Sequence, residues 1–249
     1  MKKVLLGLIS LAIWFSVGLI TIFVTIPLLL YTLFFWWLDS SRRFQHRLGI
    51  LWGWGVVHLN PFLISNVNGL ENFPKKGAFV VVSNHTSLAD IIILYRLNRQ
   101  FKWLAKESLF KIPLFGWAMS ACGYISLERG DHASIRDSFE KALKWLKKDI
   151  PVLVFPEGTR SSEGHLGQFR NGAFKLALKA KCPVLPIVIK GSKTIIEKGS
   201  WIMSGKTYIQ LHVLPPIDVQ PYEPDHFEKL NDKTRDVMAV KLAGISHPA

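Results

Sequence analysis

A histidine and an aspartate stand five positions apart in the stretch SNHTSLAD, residues 83–90, between the apolar runs AFVVV and IIILY. Two residues five apart on one regular helix differ by about 140°, so their side chains would not share a face. They meet if His85 lies in the turn after a strand and Asp90 in the first turn of the next helix, as the flanking runs indicate. A carboxylate that accepts the Nδ1 proton would leave Nε2 free as a general base. The alternative is a buried histidine without chemistry, beside a helix capped by Asn84 or Ser87.

A second polar stretch, FPEGTRS, follows another strand-like run, PVLVF. It combines the carboxylate of Glu157, the backbone freedom of Gly158, the hydroxyl of Thr159 and the guanidinium of Arg160. Arginine recognises phosphate through paired donors. EGTR alone is a weak signal, but functional loops of an α/β sheet gather at strand ends, so this loop is expected beside His85.

Short apolar runs alternate with amphipathic stretches from Pro61 onward, which predicts an α/β fold with a mostly buried mixed sheet flanked by helices. The clearest helix is expected over residues 131–148, where apolar side chains recur on one face and lysines on the other. We assign residues 61–249 to this α/β domain, which carries both polar motifs, and residues 1–60 to a membrane anchor.

The anchor is predicted from an uncharged run that extends from Val4 to Leu38. It exceeds the apolar region of a signal peptide and is too long for one span of a hydrocarbon core of about 30 Å. Basic residues flank both ends, which favours a monotopic or re-entrant segment over a simple transmembrane helix. Pro27 is expected to kink or break this helix, and residues 48–57 to form an interfacial helix.

The chain carries a formal net charge of +13, which suits anionic lipid headgroups, an acidic carrier protein or a phosphate-bearing substrate. Nucleic acid is not expected as a partner, because the sequence has no zinc-ligand pattern, RNP-like motif or basic arm and has an anchor. The two cysteines, Cys122 and Cys182, form no disulfide framework and are predicted to be reduced core residues facing a cytosolic compartment.

Together these motifs resemble the glycerolipid acyltransferase family, and within it the 1-acyl-sn-glycerol-3-phosphate (lysophosphatidic acid) acyltransferases. The resemblance covers about residues 60–214 and four blocks. The first, NHxxxxD, matches Asn84, His85 and Asp90; the second matches Lys106, Pro113, Gly116, Gly123 and Arg129; the third matches residues 155–161 in full, with FRNGAF (169–174) after it; the fourth matches residues 184–188. The one soft departure is Glu128, where family members often carry aspartate.

The resemblance implies transfer of an acyl group from a thioester to a lysophospholipid hydroxyl, with His85 as the base and Asp90 as its orienter. It implies substrate binding by Glu157, Gly158, Thr159, Arg160, Arg129 and Lys106. No cofactor and no metal are expected, since a thioester is already activated. Acyl-CoA or acyl-acyl carrier protein would be the donor, and a membrane lipid the acceptor, at the cytoplasmic face of a membrane (the inner membrane if the source is bacterial).

Other functions stay open at this point. The same chemistry could act on another lysophospholipid or on a lyso-aminolipid. A metal-dependent hydrolase would use His85, Asp90 and Glu157 as ligands, although no HExxH cluster occurs. A non-catalytic membrane-surface adaptor would leave the two polar motifs unexplained.

Overall fold

The computed structural model describes residues 2–161, 165–195, 200–203 and 205–246. The helices are α1 (Lys2–Phe35), α2 (Arg43–His58), α3 (Ala89–Leu94), α4 (Glu107–Phe110), α5 (Phe115–Ala121), α6 (His132–Leu146), α7 (Gly172–Ala180) and α8 (Phe227–Gly244). The strands are β1 (Leu63–Asn68), β2 (Val80–Ser83), β3 (Lys102–Lys106), β4 (Ile125–Leu127), β5 (Val152–Val154), β6 (Val184–Lys190) and β7 (Thr207–Val213). The predicted α/β class with a mixed sheet is confirmed.

The strands form one sheet in the order β1-β7-β6-β2-β5-β3-β4, in which only β6 and β7 pair antiparallel. The central strand β2 pairs with β5 on one side and with β6 on the other, both parallel. The carboxyl ends of β2 and β5 therefore lie side by side at one edge of the sheet. The loops that follow these two strands carry the two polar motifs.

Each face of the sheet has its own apolar core. Val81 of β2 points into the core that α1 to α5 cover, while Val80 and Val82 point into the core that α6, α7 and α8 cover. Because successive side chains of a strand alternate between faces, a sheet covered on both faces needs continuous apolar strands, as in VVV and VLV. Each such fully buried side chain contributes roughly 1.5–3 kcal/mol.

Helix α1 is one continuous helix of 34 residues, and it packs along the α/β domain. Pro27, which was expected to kink or break the helix, lies inside it and does not break it, although one backbone hydrogen bond is forgone there. By length and composition, residues 3–35 qualify as a membrane span, with a mean hydropathy of 2.3. Near its start, the Trp14 indole nitrogen donates to the Trp201 carbonyl oxygen at 2.8 Å, and Ser10 Oγ accepts from the Met203 amide at 2.9 Å. Near its end, Leu28 is buried in the domain core.

Candidate active site

His85 lies in the turn after β2, and Asp90 lies in the first turn of α3, which begins at Ala89. Asp90 Oδ2 is 2.8 Å from His85 Nδ1, and the Asp90 side chain is fully buried. The same oxygen accepts hydrogen bonds from the backbone amides of Thr86 (2.7 Å) and Ser87 (2.8 Å). One carboxylate oxygen thus fixes both the tight turn and the ring, as the sequence spacing predicted.

The end of β2 is fixed from its other side by Asn84. Its side-chain amide donates to the Ile189 carbonyl oxygen and accepts from the Ile189 amide, both at 2.8 Å. Asn84 therefore links β2 to β6 and does not cap α3, whereas Ser87, the other candidate cap, accepts a hydrogen bond from the Ala89 amide at 3.3 Å through its Oγ. The turn that carries His85 is held by two strands and by Asp90.

The His85 ring stacks on Phe155 with ring centroids 4.2 Å apart and an interplanar angle of 16°. With the Nδ1 proton donated to Asp90, Nε2 carries the lone pair. Nε2 has no hydrogen-bond partner among the described residues, and His85 lines a cavity. The arrangement leaves a ring nitrogen able to accept a proton from a molecule in that cavity.

The FPEGTRS loop is attached to the His85 turn through Glu157. Glu157 Oε1 accepts from the His85 amide at 3.0 Å, and Oε2 accepts from the Gly167 amide at 2.7 Å. The Ser161 amide donates to the His85 carbonyl oxygen at 2.8 Å. Glu157 is predicted from the resemblance to contact the substrate. In the structure its side chain is buried, and both carboxylate oxygens already accept hydrogen bonds from backbone amides.

The other three predicted residues of this loop differ in placement. Gly158 has φ = +72°, the left-handed region that favours glycine, and lines the cavity. Thr159 and Arg160 are exposed and are not among the residues that line it. The loop therefore presents backbone at Gly158 to the cavity, and the Arg160 guanidinium lies outside the cavity wall.

Two predicted cations, Lys106 at the end of β3 and Arg129 after β4, do line the cavity. A third, Arg170, was missed as a site residue by sequence reasoning. Its Nε would lie 2.9 Å from a Cβ placed on Gly158. The pKa of the Arg129 guanidinium is lowered, first by partial burial and then by the nearby charge of Arg170. The signal for Arg170 was present in FRNGAF, but its distance in sequence from His85 gave no reason to place it there.

The cavity has a volume of about 410 Å³ and is mostly apolar. Residues of α1, α2, α3 and α5 line it on one face of the sheet, and residues of α6 and α7 line it on the other. His85 and Phe155 lie where these parts meet, with the cations Lys106, Arg129 and Arg170 in the same wall. Its lining suits an amphipathic anion, with an apolar chain and an anionic group.

A metal-dependent hydrolase would need a group of metal ligands at this site. Within the described ranges, no group of three His, Cys, Asp or Glu side chains is arranged to hold a metal ion. The hydrolase alternative named Glu157 as a ligand, and both of its carboxylate oxygens accept from backbone amides. His85 Nδ1, Asp90 Oδ2 and both Glu157 oxygens thus already take part in hydrogen bonds within the protein.

The fold and the site define an α/β domain with a histidine–aspartate pair at the carboxyl edge of a mixed sheet, open to an apolar cavity with cations in its wall. The chain belongs to the acyltransferase family, whose family model matches residues 64–190.

Individual relatives agree with this membership. The chain is 42% identical over 160 residues to "1-acyl-sn-glycerol-3-phosphate acyltransferase LPAT1, chloroplastic" of Arabidopsis thaliana, an alignment that covers 64% of this chain and 44% of the relative. It is 32% identical over 180 residues to the 1-acyl-sn-glycerol-3-phosphate acyltransferase of Borreliella burgdorferi, covering 72% of each. The chain spans about half the length of the plant and algal relatives that it matches.

A solved structure is similar over its whole length. The crystal structure of the 1-acyl-sn-glycerophosphate (LPA) acyltransferase PlsC from Thermotoga maritima superposes with a TM-score of 0.83 at 27% identity, covering 100% of both chains. Its agreement extends to the full fold, including the N-terminal helices.

Proposed function

We propose that this protein transfers a fatty acyl group from an acyl thioester to the sn-2 hydroxyl of lysophosphatidic acid, forming phosphatidic acid. The observation that carries the proposal is the Asp90–His85 pair, with the ring held by a 2.8 Å hydrogen bond at Nδ1 and His85 lining the cavity. The acceptor and the reaction class come from the names of the relatives, which are 1-acyl-sn-glycerol-3-phosphate acyltransferases.

In the proposed reaction, the acceptor hydroxyl loses its proton to His85 Nε2 while its oxygen attacks the thioester carbonyl. A base is needed because an alcohol is a poor nucleophile at neutral pH, and such catalysis contributes typically about 10²–10⁴ in rate. The tetrahedral intermediate then collapses, the carbon–sulfur bond breaks, and His85 returns the proton to the leaving sulfur. Asp90 stabilises the ring while it carries the extra proton.

The acceptor phosphate is assigned to the cations of the cavity wall, Arg129, Arg170 and Lys106. Guanidinium groups bind phosphate through paired hydrogen bonds, and two adjacent guanidiniums repel each other until an anion lies between them. Glu157 is assigned a positioning role, because its carboxylate joins the His85 turn to the following loop. Gly158 contributes backbone to the cavity, and Thr159 and Arg160 lie outside its wall.

The acyl chain of the donor is assigned to the apolar part of the cavity. Thr21, Val24, Thr25 and Leu28 of α1 form part of that wall, so the anchor helix itself helps to build the chain-binding site. The donor is acyl-CoA or acyl-acyl carrier protein, since both are anionic and suit the net charge of +13.

The anchor is assigned a monotopic position at the cytoplasmic face, with α1 lying in the interface. Ser10 and Leu28 both contact the domain, and their separation of 18 positions corresponds to about 27 Å of helix. A helix crossing the roughly 30 Å hydrocarbon core would take one of these contacts into the bilayer. Exposed apolar side chains follow α1 from Val4 to Phe35, as expected for a helix half immersed in lipid.

The test is transfer of a labelled acyl chain from each donor to lysophosphatidic acid by detergent-solubilised protein, with EDTA throughout. We expect phosphatidic acid at full rate from the wild type and from His132→Ala, an exposed-histidine control, and a rate lower by about 10²–10⁴-fold from His85→Ala. A wild-type rate in His85→Ala would overturn the base assignment. Product only with another lysophospholipid or a lyso-aminolipid would change the acceptor, and no product with any acceptor would favour the adaptor.

A further inference from the structure

A second cavity, of about 400 Å³, lies outside the active site against the outer side of α2. Its wall contains two arginines, Arg47 of α2 and Arg96 of the turn after α3, and three apolar residues of α2, Ile50, Leu51 and Trp54. Tyr95 lines this cavity and also the active-site cavity, so one buried tyrosine separates them. Nothing in the proposed acyl transfer uses this site.

The second cavity borders the apolar surface that the anchor helices present. Phe44, Leu51 and Trp54 form an exposed stripe on α2, with Leu51 50% and Trp54 54% exposed. Phe44 contacts Tyr31 of α1, with ring centroids 4.0 Å apart, so this stripe continues onto the outward side of α1. Tryptophan and arginine side by side on such a surface are typical of the level of lipid headgroups.

The charges of the cavity are complementary to an anion. No aspartate or glutamate is among the described residues of its wall. Arg96 is half-buried, and its Nη1 donates to Ser65 Oγ of β1 at 3.0 Å, which fixes the guanidinium and leaves its other donors available. Arg47 is exposed, one turn of helix from Leu51. Two guanidiniums that line one cavity, one held by a hydrogen bond and one exposed, make a binding site for a phosphate group.

The apolar residues decide which phosphate compound fits. A water-soluble anion would gain nothing from Leu51 and Trp54, whereas a phospholipid places its phosphate at the arginines and its acyl chains along the stripe. We infer that this cavity binds the headgroup of an anionic glycerophospholipid of the bilayer, separate from the substrate site. The bound lipid would hold α2 against the membrane at the wall of the active-site cavity that Tyr95 forms.

The inference is tested by native mass spectrometry of the full chain, released from vesicles of phosphatidylcholine alone or mixed with phosphatidylglycerol. We expect phosphatidylglycerol to stay bound selectively. We also expect an Arg47→Gln/Arg96→Gln variant to lose it, by about fivefold for each arginine, the ratio that about 1 kcal/mol per basic residue implies. A Lys75→Gln/Lys76→Gln variant removes the same charge at an exposed loop away from the cavity and should retain the lipid.

Lysine replacements at positions 47 and 96 keep the charge and should retain part of the binding, which separates a binding loss from misfolding. Melting temperatures of all variants are compared with the wild type for the same purpose. Equal retention of phosphatidylcholine, or unchanged retention by the glutamine variant, would overturn the inference. Displacement of the lipid by inorganic phosphate would also overturn it, in favour of a soluble anion. Because the readout is bound lipid, it does not depend on whether the acyl-transfer proposal holds.

Discussion

Asp90 Oδ2 contacts His85 Nδ1 at 2.8 Å and accepts two further hydrogen bonds, from the amides of Thr86 and Ser87. The other carboxylate oxygen, Oδ1, is buried and has no hydrogen-bond partner among the described residues. Oδ2 alone therefore accepts the hydrogen bonds that close the turn and orient the ring. The negative charge acts in addition to that geometry, because it stabilises the imidazolium that forms when Nε2 takes a proton.

This division of roles predicts different outcomes for two substitutions of Asp90. Asp90→Asn can place its carbonyl oxygen where Oδ2 lies, so the turn and ring are kept while the charge is lost. We expect it to fold with a lower melting temperature, because its NH₂ group takes the buried, unpartnered place of Oδ1, and to lose kcat by less than the roughly 10²–10⁴-fold expected for His85→Ala. Asp90→Ala removes the acceptor of three hydrogen bonds and should lower both kcat and the melting temperature. Wild-type kcat in Asp90→Asn would show that the carboxylate charge contributes nothing.

Glu157 is predicted to act on the loop and not on the substrate. In Glu157→Gln one carboxylate oxygen becomes an NH₂ group that faces the amide of His85 or of Gly167, and an unsatisfied buried donor costs about 1–3 kcal/mol. We therefore expect a lower melting temperature and a lower kcat, with the KM for lysophosphatidic acid little changed. Kinetics and thermal unfolding of the same preparations measure this.

The control for Glu157→Gln is Glu140→Gln, which removes the same charge from the exposed face of α6. It should leave both quantities unchanged. If Glu157→Gln instead raised the KM at an unchanged melting temperature, the carboxylate would contact the acceptor, as the family resemblance implies.

The sequence predicted the His85–Asp90 contact because both residues lie within one strand–turn–helix unit, where local geometry decides the distance. It did not place Arg170, which reaches Gly158 only because the loop after β5 folds back and the Arg170 amide donates to the Pro156 carbonyl oxygen. The substrate role of Glu157 came from the family resemblance, and residue type alone does not tell which backbone amides a carboxylate will meet. A sequence motif does not predict contacts between residues that only tertiary folding brings together.

The elements show the same contrast. The amphipathic pattern of residues 131–148 predicted α6, whose first turn is capped by the Asp131 carboxylate. The helix expected after the His85 turn is shorter than the apolar run IIILY suggests, because α3 ends at Leu94 and a 3₁₀ turn follows at Tyr95–Leu97. Packing fixes that ending, because the Tyr95 hydroxyl is hydrogen-bonded in the core to Tyr124 and Trp103. Periodicity cannot contain that information.

Arg170 is predicted to bind the acceptor phosphate together with Arg129. Arg170→Gln should raise the KM for lysophosphatidic acid by about 10- to 100-fold, the loss expected for a charged hydrogen bond of about 1.5–3 kcal/mol. The KM for the acyl donor and the melting temperature should change little, and Arg170→Lys should recover part of the affinity. Lys179→Gln, at the far end of α7, is the matched control. An unchanged KM in Arg170→Gln would remove Arg170 from the phosphate site.

Buried His46 of α2 predicts that stability falls at mildly acidic pH. Its Nδ1 is 3.0 Å from the Tyr124 hydroxyl and its Nε2 is 2.9 Å from the Arg99 carbonyl oxygen. Burial, and then the charge of Lys102, lower the pKa of His46 to about 3, against its ordinary 6.5. The unfolded chain therefore binds a proton below pH 6.5 that the folded chain does not, and stability is lost as the pH falls between these values.

From pH 7 to pH 5 this loss amounts to about 2 kcal/mol, because each pH unit below 6.5 costs about 1.4 kcal/mol. Unfolding measured by denaturant in detergent at both pH values gives the change directly. His46→Phe removes the titrating group, so it should be less stable than the wild type at pH 7 and should lose less stability on acidification. The gap between the two proteins is then expected to narrow by about that amount at pH 5. If the gap stayed constant, His46 would not be the group that couples protonation to unfolding, and the packing of α2 on the domain would be insensitive to its charge.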